Sequence, residues 1–572
     1  MKKIFSIILA SIAMTSCVET VILPDNKTVD DDYWQKKSEV DAIVSTAYAQ
    51  LRSADAIRNL IVWGDFRSDE LVINPSVPAS SAYKTALAQI YSLNIDPTNA
   101  FTSWYPFYSA INYCNLVLEK AEGVISIDPD YTRGEYEANK AQVLALRAYC
   151  YFTLLRVFHD IPVTPHAYLN SSDDMNAEQQ APSYVIDMCI NDLNEALKYA
   201  VAGNTYEMNA WRNKGYFNRD GINALLADIY LWRASINRDA NDYEACVQHC
   251  NNIINAKKSA YETENALRDD EKKDYYLAES DVMYNRLFGQ TGQNADESIF
   301  EVQFRLSSVQ NIGLDQMFYR IQNNTRFNFG YLKAALKYGA VDNTGNGVWI
   351  NDKDQRLYEY LYSANSSGVE QFEIRKYIAN ATAGKWTSTS RDANHNILAN
   401  WIVYRLTDVM LMKAEALVQL YNLGGKDAED TRNEEAFKIC QFVNSRALPK
   451  DDGSYKKADY EILFSTYRDR MEELVLAERA RELCFEGKRW YDLMRYNYRH
   501  TASKADLTKK LTEGYVANSD AFYELALRKY SVPSAMRAKM RDDRYLYMPL
   551  NEDEVEINTN LVQNPVYRSK SK

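Results

Sequence analysis

The sequence predicts a mostly α protein assembled from paired helices, with an irregular, loop-rich part that carries a few short strands. Three observations carry that prediction. Three long segments repeat small and apolar residues at helical spacing, each has a shorter amphipathic partner nearby, and long stretches without any period separate them. At 572 residues, 46% hydrophobic and 25% charged, the chain is long enough to bury a sizeable core and to divide into subdomains around it.

Met1 to Ser16 reads as an export leader. Lys2 and Lys3 supply the charged start, and Ile4 to Ala13 form an apolar run too short to span a bilayer. Ala13, Thr15 and Ser16 place small residues just before Cys17, which predicts a lipid attachment site at Cys17. One buried acyl chain gives marginal affinity at roughly 0.8 kcal/mol per CH₂, so stable anchoring calls for two or three chains. Residues 17–32 are polar and read as a flexible tether. No later apolar run approaches the length of a membrane span, so the body after Cys17 is expected to sit in water.

The first long helix is expected over Glu135 to Phe158, where Ala138, Ala141, Ala145, Ala148, Phe152 and Leu155 recur at steps of three and four. A second runs from Gly221 to Ala234, with Ala224, Ala227 and Leu231 on one line and Ile222, Leu226, Ile229 and Trp232 beside it. A third runs from Tyr404 to Leu420, striped by Leu406, Met410, Ala414 and Leu417. Their partners are Tyr184 to Tyr199, Tyr243 to Ala256, and Glu434 to Ala447. Helix pairs repeated in this way resemble tetratricopeptide repeats, although their spacing is irregular. The unpatterned stretches are 65–101, 160–182, 204–218, 263–298 and 306–402, and within compact proteins such stretches tend to carry function. Ser298 to Phe304 alternates and reads as a strand. The organisation that follows is a leader over 1–16, the tether, an N-terminal region over 33–305, an irregular insertion over 306–402 and a C-terminal region over 403–572.

A net charge of −12, which falls to −14 without the leader, argues against nucleic acid or an anionic surface as the main partner. The 43 Tyr, 19 Phe and nine Trp suit recognition of sugars or peptides, because Tyr and Trp join a flat apolar face to a polar tip. Seven cysteines besides Cys17, scattered through helical patterns, read as buried thiols and not as a disulfide framework. Cys246, His249 and Cys250 share a helical turn but lack a completing cluster, and Asp342 to Gly347 begins like a calcium loop whose twelfth position is Lys353. No metal or cofactor is expected.

The run Arg405 to Ala416 resembles the R-x-A-D-x-x-L-x-x-A-E-A signature of SusD/RagB surface lipoproteins, and Glu478 to Arg495 resembles their E-R-x-x-E-L-x-F-E-G-x-R-W-x-D-L-x-R block. Met548-Pro549-Leu550 through Glu554, then Gln563 to Tyr567, resemble the closing segment. Ala148 to Phe152 with Ile161 to Val163, Ala224 to Leu231 and Ser298 to Val302 fall in family order as well, with Thr407 in place of the usual Ala and Leu550 in place of Ile. The resemblance implies a SusD-like fold with tetratricopeptide-like hairpins in a superhelical scaffold. It also implies a non-enzymatic outer-membrane lipoprotein that captures oligosaccharides for a SusC-like TonB-dependent transporter, acting as its lid. A peptide ligand, as in the RagB branch, is the alternative, and a surface glycosidase a third.

By position, the resemblance points to Trp63, Asp65, Arg67, Asp69, Tyr83, Arg326, Phe327, Tyr331 and Trp349 as ligand contacts, each with a core or surface ion-pair reading beside it. Trp104 takes a structural place. In the Glu478 to Arg495 block, acids lie three or four residues from arginines, which favours ion pairs that keep them ionised over a proton-donating role.

Overall fold

The computed structural model describes residues 33–169, 173, 175–205, 210–278, 287–288, 294–304, 309–319, 330–341, 347–366, 369–377, 398–425, 429–451 and 455–568. Cys17, Arg326, Phe327 and the Asp342 to Asn346 part of the calcium-like loop lie outside these residues.

The helices, in chain order, are α1 (Lys37–Gln50), α2 (Ala54–Ile61), α3 (Lys84–Tyr91), α4 (Tyr105–Val124), α5 (Arg133–Phe158), α6 (Pro182–Leu197), α7 (Arg219–Asn237), α8 (Ala240–Glu264), α9 (Leu406–Leu423), α10 (Arg432–Arg446), α11 (Met471–Glu482) and α12 (Arg489–His500). Shorter turns of helix connect them. Each long helix packs on the next: α1 on α4, α4 on α5, α5 on α6, α6 on α7, α7 on α8, α8 on α9, and α9 on both α10 and α11. This is the expected stack of helical pairs, extended at its start by α1 and α4. None of these helices is long and apolar enough to cross a membrane.

Local chemistry explains the starts and stops. Thr132 caps α5 by accepting from the Glu135 amide, while the Glu135 carboxylate accepts from the Thr132 amide at 2.9 Å, a reciprocal capping box. Asn218 caps α7 by accepting from the Gly221 amide, and Asp239 caps α8 by accepting from the Asp242 amide, each without the reciprocal half. On the stripe of α5, Ala141, Ala145 and Ala148 are fully buried and Ala138 is half-buried at the entry. Their small side chains let α4 and α6 close in from both sides.

The strands longer than two residues are β1 (Leu71–Ile73), β2 (Ser298–Val302), β3 (Leu332–Ala334), β4 (Leu361–Ser366), β5 (Val369–Ile374) and β6 (Trp401–Arg405). A four-stranded antiparallel sheet runs in the order β1-β3-β5-β4, so the 306–402 insertion joins a strand from near the start of the chain. β2 pairs antiparallel with β6 across a bulge, opposing Val302 to Trp401. The strand expected at Ser298 to Phe304 is present and ends at Val302. Tyr404, expected to open the third helix, belongs to β6, and the helix begins at Leu406.

Arg405 leaves β6 pointing inward. Its guanidinium binds Glu482 at 2.7 Å and Glu486 at 2.8 Å, and these acids also meet Arg356 and Lys376. Arg446 adds an ion pair to Glu482 and two hydrogen bonds to Glu297. Burial alone would raise these carboxyls. The surrounding charges win, holding Glu482 far below and Glu478 and Glu486 below the usual range. The charged block is therefore an internal brace between α9, α10, α11 and the insertion, as the sequence leads one to expect. The seven cysteines besides Cys17 are free and buried.

Candidate functional site

A five-residue π-helix, Val62–Phe66, continues α2, and it and the turn that follows carry four of the predicted ligand contacts, Trp63 and Asp65 in the helix and Arg67 and Asp69 in the turn. All four side chains turn inward. Trp63 is fully buried, donates its indole N–H to the Phe101 carbonyl at 2.9 Å, and packs against Phe107 and Phe158. Asp65 accepts from the Gly487 amide at 2.7 Å and the Lys488 amide at 3.1 Å. Asp69 binds Arg489 at 2.9 Å and pairs with Lys337. Arg67 lies over Trp490 at 4.7 Å. These residues lock the start of the chain onto the turn between α11 and α12.

That lock has a tight steric requirement. Gly487 sits at φ 74°, which favours glycine, and a Cβ on Gly64 would fall 2.2 Å from the Gly487 carbonyl oxygen. Glu70 completes it, accepting from the Phe485 amide at 3.1 Å and the Tyr338 hydroxyl at 3.0 Å. Burial raises the Asp65 carboxyl to about 7, against the pull of the Gly487 amide. Glu70 is raised well above the usual range as well, by burial and then by Asp65. A raised carboxyl is what a general acid needs, yet both groups are at most 1% exposed, so no substrate reaches them. For Asp69, burial is outweighed by the Arg489 and Lys337 charges, which hold it well below the carboxylate range.

Trp349 is likewise fully buried and donates to the Tyr338 carbonyl. The physical reason is the same for Trp63, Asp65, Arg67, Asp69 and Trp349. Each has an internal partner or ring contact from a distant segment, which is the packing reading set beside it in the sequence, and none faces solvent.

Tyr83 and Tyr331 are different. The structure brings them together, with ring centroids 5.5 Å apart at 77°, at the end of the exposed loop Pro75 to Ala82. Asn74 anchors that loop, its amide N–H donating to the Tyr331 carbonyl and its side chain to the Gly330 carbonyl. Tyr83 is half-buried and Tyr331 is buried beneath it. Arg58 of α2 covers one face of the Tyr83 ring at 4.8 Å, and its guanidinium binds both Asp55 and Gln316. Asp55, Arg58, Tyr83 and Gln316 thus form a polar-edged aromatic platform beside an exposed loop. Sequence reasoning missed Arg58, Asp55 and Gln316. The one available signal is the Asp55/Arg58 pair, three residues apart at the head of an otherwise mostly apolar run.

A second partly exposed aromatic group, Trp211 with Tyr216 at 5.2 Å, flanks the short helix Arg212–Gly215 before α7. Lys214 and Asn218 beside it turn inward, to the Ser298 and Asn213 carbonyls. Fewer polar groups are left there to orient a ligand, so the Tyr83 platform is the better candidate. His249 of the Cys246/His249/Cys250 turn is engaged by Asn223 at 2.8 Å and stacks on Tyr230.

The chain resembles known proteins along most of its length. Residues 319–567 match the SusD family, and residues 23–231 match a family described as starch-binding associating with the outer membrane. SusD-like protein P38 of Formosa agariphila is 25% identical over 521 residues, covering 86% of this chain and 90% of that one. Among solved structures, a SusD superfamily protein of Bacteroides thetaiotaomicron superposes with a TM-score of 0.63 at 19% identity, covering 94% of this chain and 99% of that one. NanU of B. fragilis superposes with a TM-score of 0.64 at 18% identity, covering 96% and 100%. Matched from the first helices through the α11–α12 turn to the closing segment, the chain belongs to the SusD family.

Proposed function

We propose that this protein is a non-enzymatic outer-membrane lipoprotein that binds oligosaccharides and hands them to a SusC-like TonB-dependent transporter, closing over it as a lid. The observation that carries the reading is the Tyr83 ring, braced by Arg58 and partly open to solvent, in a chain whose N-terminal part matches a family described as starch-binding. A sugar needs a flat apolar face and fixed hydrogen-bonding groups at its rim. Arg58, Asp55 and Gln316 supply the rim, and packing against Phe101 and Tyr331 spends the ring's freedom before any ligand arrives. Cys17 carries the acyl anchor.

Affinity electrophoresis against a panel of polysaccharides tests the ligand. At least one polysaccharide should retard the wild type, and Tyr83→Ala should weaken that retardation about tenfold or more. Retardation by none of them sinks the reading. Binding of peptides that survives Tyr83→Ala would favour backbone-mediated capture instead. Cys17→Ala should release the protein from membranes, and the wild type should co-purify with an outer-membrane transporter.

A further inference from the structure

The chain carries a net charge of −12, yet one of its faces has the opposite sign. Residues 71–95 contain Lys84 and no Asp or Glu, and residues 525–541 contain Arg528, Lys529, Arg537, Lys539 and Arg541 and again no acid. The fold packs these two stretches on each other. Lys539 Nζ reaches the Ser92 carbonyl at 2.8 Å and the Asn94 side-chain oxygen at 2.7 Å, and the Tyr91 hydroxyl donates to the Lys529 carbonyl at 3.1 Å. Lys529 Nζ donates to the Phe66 and Leu71 carbonyls, the second at the head of β1. Burial pushes its ammonium down to about 7, so Lys529 fastens this face more than it charges it.

Carboxylates do not match the remaining charge. Among the described residues, Arg537 pairs with Asp520, but Lys84, Arg528, Lys539 and Arg541 have no carboxylate within ion-pair distance. Lys84 donates to the Val77 carbonyl and Arg528 to the Glu524 carbonyl at 2.6 Å, bonds to dipoles that leave a full charge in place. Arg528 and Arg541 are exposed, and Lys84 and Lys539 are partly so. Of the bordering acids, Asp542 is bound by Arg544 and Asp55 by Arg58, which leaves Glu524 at one end and Asp96 at the other. Between the two stretches stand Tyr91 and Tyr530, both half-buried, with ring centroids 4.7 Å apart. α3 spans about 12 Å and runs from the Tyr83 platform at its start to this ring pair at its end. On the reading of Tyr83 as a sugar platform, we propose that the oligosaccharide taken there is anionic, bearing carboxylate or sulfate groups that lie against Lys84, Arg528, Lys539 and Arg541. A neutral glycan gains nothing from four unpaired cations, whereas an acidic one accepts charge-assisted hydrogen bonds from them, and the Tyr91 and Tyr530 rings offer its sugar faces a second surface. An anionic membrane is the other partner such charges fit, but the continuity of this face with Tyr83 favours a ligand that spans both.

The test is titration calorimetry with acidic polysaccharides, polygalacturonate and hyaluronan for carboxylate and chondroitin sulfate and carrageenan for sulfate, beside neutral starch, xylan and galactomannan. At least one acidic polysaccharide should bind about tenfold tighter than any neutral one, and its affinity should fall about tenfold between roughly 50 and 500 mM NaCl. The double variant Arg528→Gln/Arg541→Gln removes two exposed charges and should lower that affinity about tenfold, and Tyr83→Ala should lower it as well. Tight binding of a neutral polysaccharide alone, indifferent to salt, overturns the anionic cargo and leaves the sugar platform standing, whereas binding of none overturns both. Acidic binding that survives Tyr83→Ala refutes the proposal, since it marks adsorption to the basic face alone. Flotation with phosphatidylglycerol vesicles that the double variant loses, with no acidic polysaccharide bound, gives the face to a membrane and refutes it too. Should the double variant misfold, the salt dependence of the wild type decides.

Discussion

Asp65 and Glu70 hold backbone amides with carboxyls whose pKa values rise on burial, and the direction of that shift sets a pH dependence. An acid raised in the folded state binds its proton more tightly there than in the unfolded chain. Its contribution is complete below the unfolded value of about 4 and is lost as pH climbs through about 7, by up to about 1.4 kcal/mol per pH unit for each retained proton. Glu70→Gln keeps an acceptor for the Phe485 amide and removes one titrating group. Its Tm should be close to wild type at pH 5 and higher at pH 8, and a slope equal to that of the wild type would refute the linkage. Asp408 works in the opposite direction. Despite burial, Lys488 and Arg479 hold it at about 2, so its contribution is lost as pH falls toward 2. His159 carries a different strain, at φ 67° and ψ −76° in a three-residue turn closed by the Asp160 amide and the Phe158 carbonyl. His159→Gly relieves that backbone and gives up a side-chain bond to Asp160. A net gain of about 1 kcal/mol in urea unfolding is expected. Residue roles were the least legible part of the sequence. An aspartate in a turn reads the same whether it faces solvent or, like Asp65, an amide 422 residues away.

Helices were more legible than strands, for a physical reason. The alanine stripes of α5 and α7 report close packing directly, since a stripe of small residues at helical spacing has little use except to let another helix approach. α1 and α4 carry the same spacing without that stripe, so a search for close-packed pairs passes over them. The β6–α9 boundary moved because Tyr404 fits the apolar spacing of the helix, while in the structure its hydroxyl reaches Asp228 at 2.9 Å from the end of a strand. β3, β4 and β5 are three to six residues long and paired across the insertion, which leaves too little pattern for a single sequence to reveal. At this scale the α5 cap is the simplest lever. Thr132→Ala removes the side-chain half of the capping box and should cost about 1 kcal/mol by chemical denaturation, with no effect on ligand binding.

The whole molecule is a helical array whose far end is bolted together by buried charge. Glu482 is the centre of that brace, in contact with Arg356, Arg405 and Arg446, all fully or nearly fully buried. Removing one partner of such a cluster strands the rest, so Glu482→Gln should cost about 3–5 kcal/mol, seen as a large drop in Tm or a failure to express folded protein. Replacing the cluster wholesale with apolar residues need not carry that cost. The Asp65–Gly487 lock sets a condition on how the chain matures. A ribosome releases the π-helix hundreds of residues before the turn that receives Asp65, so Trp63 can settle against Phe107 and Phe158 early while the Asp65 contact waits until synthesis is nearly over. The final fastening of the array is thus a late event, made by the last hundred residues reaching back to the first hundred.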